Sequence, residues 1–123
     1  MGKTVIHRFE AVVYPYRIWV AFTDNIGSLS DNLMSYPSER PFVIPIDKKL
    51  GGFTTMAVDK EGYIGSLIVY VSKKDCTTKT IAHEATHAAR DMWEYLNEDQ
   101  TGKEADAYLV GWIADCIYRA KIT

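Results

Sequence analysis

Residues 63–72 read YIGSLIVYVS, and residues 73–96 read KKDCTTKTIAHEATHAARDMWEYL. The first stretch is dense in β-branched and aromatic side chains and predicts a strand from Tyr63 to Ser72. In the second, Ala85, Ala89, Met92 and Leu96 recur at spacings of 4, 3 and 4, which is one face of a helix. Thr77 or Thr78 is a fitting N-cap for that helix, which then runs to about Leu96. The chain therefore changes character near residue 76, β-like before it and helical after it.

Upstream, Phe53–Val58 predicts a strand and Asp59-Lys60-Glu61-Gly62 a turn, so that 53–72 reads as a β-hairpin with a four-residue loop. Val5–Tyr14 and Tyr16–Phe22 predict two further strands broken at Pro15, with Thr23-Asp24-Asn25 as the turn that follows. Between Gly27 and Pro45 the signals mix. Ser28–Met34 suits a helical turn or more, while Pro37, Pro41 and Pro45 favour an extended path. Downstream, NEDQTG (residues 97–102) breaks the helix, and a second helix runs from about Lys103 to Ala120. Ala105, Leu109, Trp112, Ile113 and Cys116 form its expected buried stripe. The expected fold is α+β, a single domain over residues 1–123, with a small twisted sheet packed against the helix of residues 78–96 and a C-terminal helix.

A chain of 123 residues buries a core without a covalent staple. Fourteen basic against sixteen acidic residues leave no positive excess for nucleic acid. No apolar run reaches membrane-span length, and Met1–Glu10 lacks the apolar region of a secretory signal. Cys76 and Cys116 are the only cysteines, which suits a reduced pair in a cytoplasmic protein, each filling the place of a small buried hydrophobe.

Residues 83–87, His-Glu-Ala-Thr-His, carry the chemistry. Positions i and i+4 of a helix stand one above the other, so His83 and His87 aim two imidazole nitrogens at one point, as Zn2+ requires. Glu84 is turned about 100° round the helix, which clears the metal yet leaves it within reach of a water there. Three histidines in the whole chain make a chance occurrence of the pattern rare. A catalytic zinc needs a third protein ligand and an open position. No histidine follows His87, so the third ligand must be a carboxylate, with Asp91, Glu94, Glu98, Asp99, Glu104, Asp106 and Asp115 as the downstream candidates. Asp91, one turn beyond His87, is better placed to support an imidazole than to bind the ion. Glu104 opens the second helix and enters from another direction once that helix folds back. It also completes a capping box with Thr101, and Asp106 is the next choice.

HEATH followed by EADAYLVGWIAD (Glu104–Asp115) resembles small HExxH proteins of bacteriophages and prophages and, more broadly, the minimal gluzincin zinc metallopeptidases. The resemblance covers about residues 78–118. It implies a zincin-like domain that holds Zn2+ through His83, His87 and Glu104, with Ala107 and Tyr108 completing an E-x-x-A-Y pattern. It implies hydrolysis of a peptide or protein substrate by zinc-activated water, with Glu84 as general base. Thermolysin-like gluzincins carry Asp four residues after the ligand glutamate. Here that position is Tyr108, which is either a donor to the oxyanion or an ordinary buried tyrosine. The resemblance also makes the 63–72 strand the rim of the cleft, with substrate adding to its edge. Gly65 either admits that backbone or marks a bulge or twist. The competing expectation is a catalytically silent zincin-fold protein of phage origin that binds or builds.

Overall fold

The computed structural model describes residues 4–11, 14–42, 51–96 and 103–123, with the side chains of 103 and 104 left aside. The fold is α+β. Strands β1 (Ile6–Glu10), β2 (Arg17–Phe22), β3 (Leu33–Ser35), β4 (Gly52–Asp59) and β5 (Ile64–Tyr70) form one mixed sheet in the order β1-β2-β5-β4-β3. Helices α1 (Thr78–Leu96) and α2 (Lys103–Ile122) cover one face. The segment between β2 and β3 is shorter in helix than its pattern suggests. A 3-10 turn ends at Asp31, and Leu33–Ser35 is already paired with Ala57–Asp59. Pro45 lies outside the described residues.

β2 and β5 are parallel neighbours at the centre, and both are buried on two faces, as their unbroken apolar runs require. This corrects the expectation for the 63–72 strand. β5 pairs with β2 on one side and β4 on the other, so it has no free edge for a substrate. Gly65 does admit a close backbone, that of β2. A Cβ there would lie 2.0 Å from the carbonyl oxygen of Arg17 and 2.7 Å from the Trp19 ring. The β4–β5 hairpin turns as its sequence suggests, with Asp59 Oδ1 accepting from the backbone N–H groups of Glu61 and Tyr63 and Gly62 at positive φ.

On the helical face, Ile18, Val20, Ile68 and Tyr70 meet Ala85, Ala88, Ala89 and Met92 of α1 and Ile113, Cys116, Ile117 and Ala120 of α2. Thr77 is the N-cap of α1. Its hydroxyl accepts from the Thr80 N–H (3.3 Å) while Thr80 Oγ1 accepts from the Thr77 N–H (2.9 Å). Alanines at three buried positions let the α1 backbone come close to the sheet. Hydroxyls of three strand residues consequently reach its carbonyls: Tyr70 to Thr80 O (3.0 Å), Thr54 to Glu84 O (3.4 Å) and Ser66 to Ala88 O (3.5 Å).

α2 runs antiparallel to α1. The Trp93 indole near the end of α1 donates to Asp106 near the start of α2 (2.9 Å), and Lys121 near the end of α2 donates to Cys76 O just before α1 (2.7 Å). The buried stripe of α2 is displaced from expectation. Ala105 is exposed and the burial begins in earnest at Ile113, where α2 crosses the sheet. Both cysteines are free and buried. No described helix is long and apolar enough to cross a membrane.

Candidate metal centre

His83 and His87 share the face of α1 turned away from its alanines, and both are exposed. Their rings lie edge to face at 4.7 Å between centroids, with Nε2 3.2 Å from Nε2. At this separation one ring nitrogen can donate to the other. It is also the separation that a shared ion demands. Two metal–nitrogen bonds of about 2.05 Å from atoms 3.2 Å apart meet at an angle of about 100°, close to tetrahedral. The donor pair therefore fits zinc in type and spacing.

Glu84 is brought to the adjacent face. It is only 6% exposed, packed between α1 and the sheet. Its Oε1 accepts from Thr54 Oγ1 at 2.7 Å. No motif in the sequence points to Thr54. The contact joins strand to helix across 30 residues and becomes visible only once α1 lies on the sheet.

Among the described residues, no three His, Cys, Asp or Glu side chains gather at one point. The Glu104 side chain lies outside the described residues, as do Glu98 and Asp99. The other carboxylates have separate places. Asp106 accepts from the Trp93 indole (2.9 Å), Asp115 pairs with Arg119 (2.9 Å), and Glu94 is exposed. Tyr108 is 76% exposed, so it is not the buried tyrosine its ordinary reading suggested. His7 sits on β1 opposite Val20 with its ring edge-on to Phe22, a strand-face residue.

Asp91 follows His87 on the same stripe and is half-buried. Burial, then the charge of Glu94, push its carboxyl up to about 6, and His87 acts in the opposite direction. A carboxyl that ionises near 3.8 when unfolded and near 6 when folded takes up a proton on folding between those values. Stability thus falls as pH rises through that window, and the penalty is absent below about pH 4. Discounted for partial exposure, Asp91→Asn should raise the melting temperature of the metal-free protein at pH 7 by about 2–4 °C. The gain should vanish at pH 4. Calorimetry at the two pH values checks it, and an equal gain at both would mean that ionisation of Asp91 is not the cause.

A groove of about 490 Å3, lined among others by Ile6, Arg8, Trp19, Leu33, Asp59 and Glu61, opens on the sheet face away from α1. It carries charges of both signs and no residue of the HExxH segment. Comparison of the chain with protein-family models, with curated proteins and with solved structures found no match.

Proposed function

We propose that this chain is a zinc-dependent peptide hydrolase of the minimal gluzincin type, built on a zincin-like arrangement of sheet and helices. The observation that carries the proposal is the 3.2 Å approach of two exposed imidazole nitrogens, next in sequence to a glutamate buried under a strand. His83 and His87 would hold the ion, with the Glu104 carboxylate as third ligand. Zinc bound there would polarise the substrate carbonyl and acidify a water. Glu84 takes a proton from the attacking water as the oxygen bonds to the carbonyl carbon. It passes that proton to the amide nitrogen as the C–N bond breaks, so that peptide and water yield a carboxylic acid and an amine. Tyr108, exposed on α2, is the candidate donor to the developing oxyanion. With β5 enclosed, the strand beside the site is β4, whose Thr54 touches Glu84; β3 covers only its Ala57–Asp59 end, and an extended peptide would lie along the outer edge at Gly52–Thr55, which pairs with no other of the described strands than β5. Two free, buried cysteines suit a reducing, cytoplasmic setting.

Metal analysis and digestion of a random peptide library test the proposal together. The expected result is close to one zinc per chain and defined cleavage products. Full zinc with no cleavage would transfer support to a silent zincin-fold binding protein, and a purified protein that takes up no zinc on addition would end the hydrolase reading.

A further inference from the structure

We propose that Thr54 is a positioning residue for Glu84, holding one oxygen of its carboxylate so that the group is presented in a single orientation. The inference rests on the hydrolase reading above and adds a residue that no motif marks. A carboxyl group taken out of water needs hydrogen-bond partners to offset the cost of its burial. Glu84 is buried, and the Thr54 hydroxyl stands 2.7 Å from Oε1. The same hydroxyl lies 3.4 Å from the Glu84 carbonyl oxygen. A hydroxyl has one proton to give, and the shorter distance assigns it to Oε1.

The donor is rigid. Thr54 lies within β4, paired with Ile68 of the central strand, and its β-branched side chain has restricted rotation. The helix is held at this distance by its buried alanines, Ala85, Ala88 and Ala89. A longer side chain at those positions would lift α1 and part the two groups. One carboxylate oxygen is thus tied to the sheet. A general base must keep its carboxylate in place through both proton transfers.

The test uses the full chain, with Thr54→Val removing the donor at nearly constant shape and Thr54→Ser keeping the hydroxyl. With zinc and fluorescein-labelled casein, Thr54→Val should lower kcat about tenfold with KM and zinc content unchanged. Thr54→Ser should restore kcat to within about twofold. Equal kcat for wild type and Thr54→Val, or a Thr54→Ser no better than Thr54→Val, would overturn the positioning role. A second readout needs neither metal nor turnover. In metal-free protein, Thr54→Val should lower the melting temperature by about 5 °C when Glu84 is present and by far less in a Glu84→Met background. Glu84→Ala serves as the second background should the longer side chain not pack. Additive effects in this cycle would show that the two groups are uncoupled and overturn the proposal. A wild type that binds zinc and cleaves nothing would overturn the hydrolase reading instead, and the thermal cycle then decides alone whether Thr54 holds the carboxylate.

Discussion

Glu84→Gln is expected to keep zinc at close to one per chain while lowering peptide hydrolysis about a thousandfold. The substitution preserves length and shape, and the amide oxygen of Gln still accepts from the Thr54 hydroxyl that now meets Oε1 at 2.7 Å. The helix–strand contact therefore survives, and with it the course of α1 and the disposition of His83 and His87. What disappears is a group able to accept a proton and return it. Because Glu84 is turned off the histidine face and buried, its loss should not reach the ion. Zinc content by elemental analysis and kcat on one defined peptide decide the matter. Turnover within tenfold of wild type would remove Glu84 from the chemistry. Loss of zinc along with turnover would mean that its role is to shape the site.

His83→Ala and His87→Ala should each weaken zinc uptake by about a hundredfold or more, since each removes one of two imidazoles poised on a single point. Glu104→Ala should weaken it strongly as well, and Asp106→Ala should not. The Asp106 carboxylate is already occupied by the Trp93 indole. Its removal should cost stability instead, about 1–2 kcal/mol for a buried donor left without a partner. The distance along the helix sharpens the comparison. Trp93, the neighbour of Asp106, stands about 9 Å of helix rise beyond His87, and antiparallel α2 begins farther still, so the comparison of Glu104→Ala with Asp106→Ala decides whether either carboxylate reaches the ion. Competition titration against a chromogenic zinc chelator gives the affinities, and anomalous scattering at the zinc edge identifies the ligands. Unchanged uptake in Glu104→Ala, or equal loss in Asp106→Ala, would assign the third position to another carboxylate.

The elements that could be read from the chain are those whose causes are local. Thr77 caps α1, and the hairpin of β4 and β5 turns at Asp59–Gly62. The 3.6-residue period marks α1 and its buried alanines, because capping, turn chemistry and periodicity act within a few residues. The pairing of β5 escaped the reading for the opposite reason. Its parallel partner β2 lies nearly fifty residues earlier, and nothing in YIGSLIVY names Arg17–Phe22 as its neighbour. Gly65 left open a substrate backbone or a bulge, and only the register shows that the close backbone is that of β2. In α2, periodicity selects a face without saying how far the sheet extends beneath it, which is why Ala105 emerges exposed while Ile117 and Ala120 are buried.

The order of residues alone determined that two imidazoles would stand together, since i and i+4 on a helix coincide whatever the helix packs against. It also determined that Glu84 would face a different way, one residue and about 100° further round. Tertiary structure decided what Glu84 faces. Burial of three alanines draws α1 onto the sheet, and that approach places a threonine hydroxyl from β4 against the carboxylate. Spacing along a chain sets direction on a helix, whereas the partner met in that direction depends on which surfaces are driven out of water together.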